Sequence, residues 1–435
     1  MFKGGVHLKD FKEISKNENI EGFPYPKKVV IPLSQHTGLP AKPVVKKGDI
    51  VSEGQVIGEA NGFISSFIHS SISGKITGIE NCLLPSGKKS LSVIIENNGE
   101  IKKNSPIYRD WLNLKPEEII NIVREAGIVG MGGAAFPTAV KLSIPPGKKA
   151  EIVLLNGCEC EPYLTCDYRV LKESTFDVVE GLEIICKTVS VNKACIGIEK
   201  NKIDLLPLLK KSFENIKTDL KIDVKVLPEK YPQGSEKHLI KSITKREVPS
   251  GGLPIDVGCI VFNIQTALAI KKAVCEGQPL IERVLTVSGF IEKPKNLRVK
   301  IGTLISEILE YCTGKIENGK KCIIGGPMMG INIIDKELPV MKGTSGILIL
   351  PEEKLTQTYQ PCIRCGKCIE VCPMRIVPAE ISRYAEVENW KVCNQLNVGD
   401  CIECGCCSYI CPAKRPLVEW FKWAKAEIKK QIASG

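Results

Sequence analysis

Aromatic residues are scarce in this 435-residue sequence, at 6%, and histidine is scarcer still, with four. No apolar run approaches the roughly 18 residues that a membrane-spanning helix needs; Gly346-Ile-Leu-Ile-Leu350 is typical of the longest. The opening Met1-Phe-Lys-Gly-Gly-Val-His-Leu8 has no apolar core of the kind a signal peptide carries. An integral or secreted protein is therefore not expected. The sequence also lacks any block of five basic residues, although lysine and arginine outnumber the acids 60 to 49 and leave a net charge of +11. Scattered lysines with few interleaved aromatics argue against a nucleic-acid partner. A basic face toward an acidic partner or an anionic membrane surface stays open. Hydrophobic content of 43% and charged content of 25% are those of a globular chain, and the length suggests roughly two to four domains.

What the sequence has in excess is cysteine, 20 in all. Without a secretion signal, such a count points to metal or redox chemistry rather than a disulfide framework. Cys362, Cys365, Cys368 and Cys372-Pro373 are followed by Cys401, Cys404, Cys407 and Cys411-Pro412. This is the two-cluster ferredoxin spacing, in which three cysteines hold one [4Fe-4S] cluster and the fourth reaches the other. The expected ligand sets are Cys362, Cys365, Cys368 and Cys411 for one cluster, and Cys401, Cys404, Cys407 and Cys372 for the second. Zinc also takes Cys-x2-Cys pairs, but two pairs, not a third cysteine at the same spacing plus Cys-Pro. The register between Cys406 and Cys407 is ambiguous, and Cys393 falls outside the pattern. Ten further cysteines lie before residue 361 and read mainly as small buried hydrophobes. The four histidines share no metal spacing and read as structural.

Residues 1–100 read as short strands between frequent turns, a β sandwich or barrel. Residues 116–275 alternate helix and strand, beginning with a helix over Pro116–Glu125 that opens on proline and two acids. Residues 284–350 return to short strands and glycines, 361–416 hold the cysteines, and 417–435 read as an amphipathic helix. That helix either packs on the cysteine module or docks on a membrane subunit or lipid interface. The fold class expected is multidomain α/β plus β.

The segment Gly127 to Thr138 contains Gly130-x-Gly132-x-x-Ala135, which meets the relaxed dinucleotide fingerprint. A helix precedes it rather than a strand, so the ordinary Rossmann reading fails, and alone the loop is more often a tight turn. Glycines nevertheless let backbone amides approach a phosphate or flavin ring. The next strand ends in Asn156-Gly-Cys-Glu-Cys-Glu-Pro162, polar residues where α/β proteins bind ligands.

Together these segments resemble the flavoprotein subunit of respiratory complex I. The resemblance implies FMN contacts from Gly130, Gly132, Gly133, Asn156, Glu159, Asn263 and Thr266, and NADH contacts from Phe136, Lys141, Glu161 and Glu236. Cys158, Ser235, Phe262 and Gln265 depart from that family's pattern. Lys47 to Lys75 looks like the barrel-sandwich fold of lipoyl and biotinyl carriers without the carrier lysine, and Val287-Ser-Gly-Phe-Ile291 resembles a β-grasp soluble-ligand-binding domain. In order along the chain, these features are similar to the RnfC family, the NADH-side peripheral subunit of Rnf ion-translocating complexes. The resemblance implies hydride exchange between NAD(H) and bound FMN, relay through two [4Fe-4S] clusters, and coupling of NADH/ferredoxin exchange to Na+ or H+ transport. It implies other members of such a complex as partners, and a peripheral place on the cytoplasmic side of the cell membrane. Two other readings remain: a soluble cobalamin reductase with the same flavin and cluster core, and a flavin-free cluster relay.

Overall fold

The computed structural model describes residues 2–97, 99, 107–313, 320–351 and 359–434. Its first β unit is two small sheets packed face to face. One joins Lys28–Pro32, Lys89–Glu96, Gly74–Leu83 and Ile50–Val51, and the other joins Lys42–Pro43, Val56–Glu59 and Ile68–His69. Val29, Ile31, Ile57, Ile68, Ile76, Val93 and Ile95 fill the space between them, the alternation expected of strands with one buried face.

Residues 2–22 leave the sandwich and run along the other domains, and Ile20–Gly22 pairs in parallel with Asn296–Arg298, more than 270 positions away. Three residues carry too little alternation to reveal so distant a pairing.

The α/β domain is built on four parallel strands in the order Lys221–Leu227, Lys193–Glu199, Ile152–Gly157, Cys259–Asn263. Ile152–Gly157 and Lys193–Glu199 are buried almost throughout, as strands covered on both faces are. The helices Thr175–Thr188 and Ile264–Glu276 pack together on one face, with Gly181 against the backbone of Ala267. The residues Asn156 to Glu161 emerge at the carboxyl end of this sheet, beside the helix-opening Asn263.

The third unit is a mixed six-stranded sheet, Ile20–Gly22, Lys295–Lys300, Glu282–Gly289, Gly346–Pro351, Lys320–Ile324 and Ile331–Ile333, crossed by the helix Ile305–Thr313. The cysteine module follows, with short helices and the long Leu417–Ser434 helix. Leu417, Val418, Phe421 and Ala424 on that helix are buried against Ile381, Ala385, Cys393 and Val398. This part of its apolar face is thus used within the module, while Trp423 and Ile432 on the same helix are exposed. Among the described residues no helix is long and apolar enough to cross a membrane.

Candidate functional site

The glycine-rich loop is a small closed turn. Gly130 donates to the Phe136 carbonyl at 2.8 Å, and Thr138 donates to Ile128 at 3.0 Å. Its tip, Gly132 to Ala134, is exposed. Gly133 has φ +118°, and a Cβ there would point into open space, whereas one on Gly132 would meet Asn263 at 3.6 Å. The open side of the loop therefore leaves room for a flat ring against bare backbone. Thr266 Oγ1 accepts from the Met131 amide at 2.9 Å, so that residue shapes the loop from below.

The acidic segment meets the loop across the ends of the strands. Asn156 Nδ2 donates to the Gly234 carbonyl at 2.7 Å and ties the central strand to Tyr231–Glu236. Glu236 pairs with Lys141 at 2.6 Å, and the Lys141 ammonium lies 5.4 Å from the centre of the Phe262 ring. The Glu159 carboxylate accepts from the Asp167 and Tyr168 amides, at 2.7 and 3.4 Å, and caps the helix Cys166–Glu173. Glu161 accepts from the amides of Met328 and Met329 at 3.0 and 2.9 Å. Burial holds its carboxyl above the ordinary range, with those amides opposing. Asn263 accepts from the Gln265 amide, and its Nδ2 donates to Asp167 at 2.6 Å.

The structure thus brings Gly130, Gly132, Gly133, Asn156, Glu159, Asn263 and Thr266 to one mouth, with Phe136, Lys141 and Glu236 beside it. Glu161 stands apart, since both its oxygens are engaged by the loop of the neighbouring sheet. Among the altered positions, Cys158 is fully buried, and burial lifts its thiol well above the usual range. It is a packing residue, not a reactive thiolate.

Several charged groups escaped the sequence reading. The Lys12 ammonium donates to the carbonyls of Glu161 at 2.9 Å and Leu164 at 2.5 Å, and Lys202 donates to the Cys158 carbonyl at 2.6 Å. Two buried lysines therefore hold the backbone of the acidic segment from beneath. Burial, and then the Glu159 carboxylate, push Asp167 up to about 6. In a lysine-rich sequence nothing local marks Lys12; only the position of Lys202 just past a strand end gives a hint.

In the cysteine module, Cys372, Cys401, Cys404 and Cys407 line one small cavity of about 20 Å³, walled by Ile376, Ile402, Val418 and Phe421. Four sulfurs around a small apolar chamber fit a cluster better than they fit solvent. Cys407 lines this chamber; Cys406 packs with Val6, Cys404 and Tyr231, so Cys407 is the one of the pair in position to serve it. Cys368 lies within electrostatic reach of Cys411, Cys362 and Cys365, and Cys365 is exposed. The cysteines therefore fall into two groups, one inside and one toward solvent. Cys404 and Cys406 share a packed cluster with Tyr231 and Cys160, so the inner set abuts the acidic segment.

Comparison with known proteins follows the same division. Residues 1–100 match the RnfC barrel sandwich hybrid domain, 123–272 the Nuo51 FMN-binding domain, 284–332 the SLBB domain and 354–412 the 4Fe-4S dicluster domain. Among solved structures, an NAD+-reducing [NiFe]-hydrogenase in the H2-reduced state superposes with a TM-score of 0.52 at 17% identity. That match covers 73% of this chain and 63% of the other, a likeness of fold. Among curated relatives, a subunit of the proton-translocating ferredoxin:NAD(+) oxidoreductase complex of Clostridium ljungdahlii is 47% identical, covering 98% of this chain and 93% of that one. Its counterpart in the Na(+)-translocating ferredoxin:NAD(+) oxidoreductase complex of Acetobacterium woodii is 45% identical, over 100% and 98%. The counterpart in the ion-translocating oxidoreductase complex of Rhodobacter capsulatus is 40% identical, over 99% and 83%. With identity at this level along nearly the whole length and the RnfC barrel sandwich hybrid domain at its start, the chain belongs to the RnfC family.

Proposed function

We propose that this chain is the NAD(H)-side electron-transfer subunit of an ion-translocating ferredoxin:NAD+ oxidoreductase complex. The observation that carries this reading is the shared mouth of Gly130–Gly133, Asn156–Glu159 and Lys141–Glu236, with the inner cysteine set packed against it through Tyr231 and Cys160. FMN, when bound, supplies the exchange between a hydride's electron pair and single electrons. The protein's own residues bind and orient. The bare backbone of Gly132 to Ala134 admits the ring, Asn156 and Thr266 hold the two walls in register, and Phe136 and the Lys141–Glu236 pair flank the nucleotide side. Glu161 acts through the Met328–Met329 loop and closes the mouth from the third sheet. Cys372, Cys401, Cys404 and Cys407 hold the inner [4Fe-4S] cluster. Cys362, Cys365, Cys368 and Cys411 hold the outer one, from which exposed Cys365 faces a partner subunit. The chain sits peripherally at the cytoplasmic side of the cell membrane, where NADH is available, and the complex couples NADH/ferredoxin exchange to Na+ or H+ transport.

Anaerobic titration of the purified chain with NADH, after assay of flavin, iron and sulfide, tests this. The expected result is loss of flavin absorbance followed by loss of cluster absorbance. Intact clusters with no flavin and no response to NADH would overturn the assignment of Gly130 to Glu161.

A further inference from the structure

Residues 2–16 touch both halves of the proposed electron path. At one end, the Phe2 ring packs edge-on against His238 at 4.6 Å, and His238 Nε2 lies 3.1 Å from the Pro373 carbonyl. Gly4 has φ +71°, and a Cβ on it would stand 2.5 Å from the carbonyl oxygen of Cys372, a member of the inner set. The Gly5 amide donates to Val371 at 2.8 Å, and Val6 exchanges both backbone hydrogen bonds with Tyr231 at 2.9 Å. At the other end, the Tyr163 amide donates to Asp10 at 2.7 Å. Phe11 stacks on Tyr163 with centroids 4.6 Å apart and planes 8° from parallel. Lys12 grips the carbonyls of Glu161 and Leu164, and Ser15 Oγ meets Thr165 Oγ1 at 2.9 Å.

The chemistry of Lys12 is the informative part. It is 4% exposed, and its two bonded acceptors are backbone carbonyls of the acidic segment. Burial lowers the pKa of this amine, and an apolar side chain of similar size would pack there without the cost of desolvating a polar group. A buried amine bonded to chosen carbonyls fixes register in a way that apolar packing does not.

We infer that residues 2–16 are a positioning strap that sets the spacing between the flavin mouth and the inner cysteine set, with Gly4 and Lys12 as its two anchors. The inference rests on the proposed function. Oxidation of NADH to NAD+ releases one proton and two electrons, and a cluster held by Cys372, Cys401, Cys404 and Cys407 would take these one at a time. Each transfer depends steeply on separation. A strap bonded to the Val371–Cys372 backbone and to the Glu161–Leu164 backbone links the two sites through one continuous segment, beside the separate His238–Pro373 and Ser250–Asp400 hydrogen bonds between the domains.

The test compares the full chain, cofactors loaded, with Gly4→Ala and Lys12→Met in anaerobic rapid mixing with NADH, following flavin and cluster absorbance separately. In both variants the ratio of cluster rate to flavin rate is expected to fall below that of the wild type. Hydrogen exchange on the cofactor-free chains supplies a second readout: faster exchange at Gly5 and Val6 in Gly4→Ala, and at Tyr163 in Lys12→Met. Lys12→Arg, which keeps N–H donors for the two carbonyls, is expected to restore part of the ratio. If Gly4→Ala fails to fold, Lys12→Met carries the test. Faster exchange with an unchanged rate ratio would overturn the strap. A wild-type chain whose flavin ignores NADH would instead overturn the proposed function.

Discussion

Lys342 reaches into the junction of three domains and there donates to the Phe67 carbonyl at 2.8 Å and the Gly127 carbonyl at 2.7 Å. His36 and His69 face it, and Arg283 donates to its own carbonyl. Two carbonyls are satisfied equally by a neutral amine, and burial pulls Lys342 down to about 7. The sign follows from proton counts. Between about pH 7 and the ordinary lysine range the unfolded chain binds a proton that the folded chain does not, so this group adds stability as pH rises. The stability of wild type relative to Lys342→Met is therefore expected to increase from pH 7 to 9, read from paired urea denaturation curves. A difference that is flat or falling over that interval would refute the neutral amine. Glu161 presents a second residue-scale case. Glu161→Gln leaves one of the Met328 and Met329 amides without its acceptor, a loss of about 1–3 kcal/mol, measurable in the same denaturation assay.

At the scale of elements, the turn Gly405–Cys411 decides which sulfur serves the inner cluster. Gly405, with φ +81°, opens the short helix Cys406–Ile410. One step along that helix turns a side chain by about 100°, so neighbours Cys406 and Cys407 face different surroundings. Cys407→Ala is expected to lose one cluster's share of iron, and Cys406→Ala to retain all of it, by iron and sulfide assay on anaerobically purified chains. Equal loss in both would return the register to ambiguity. The ligand spacing was legible in the sequence because cluster ligation is a local demand, met within a dozen residues on each side. The glycine loop and Asn156–Glu161 were legible for the same reason. Residues 2–22 were not, because their partners near 163, 231, 296 and 371 are remote and the paired strand is three residues long. Lys12, Lys202 and Lys342 were not either, because a lysine destined for the interior looks like any other in a chain so rich in them. Glu161 was legible as a polar group at a strand end, while the loop that engages it belongs to another domain.

Across the whole molecule, the sandwich, the α/β domain and the six-stranded sheet share buried polar bonds rather than touching at their surfaces. Ser71 Oγ donates to Ile301 and the Val30 amide to Gly302; the Thr165 amide donates to Thr286 Oγ1, and the Val284 amide to Gln265 Oε1. Separating any of these domains would strand donors that water reaches only after the neighbour unfolds. The cysteine module is joined more lightly, through Gly5 to Val371, His238 to Pro373 and Ser250 to Asp400. Its own core centres on Phe421, which is fully buried, and on the clusters, whose binding stabilises only the folded module. Calorimetry of the cofactor-free chain is accordingly expected to show two transitions, the module melting first and the other three domains together, with cluster loading raising the first. Phe421→Ala, at about 3–5 kcal/mol for a buried aromatic, should lower the first transition and leave the second in place. A sandwich that melted by itself, or a Phe421→Ala effect spread over both transitions, would show that the boundary between the rigid body and the module has been drawn in the wrong place.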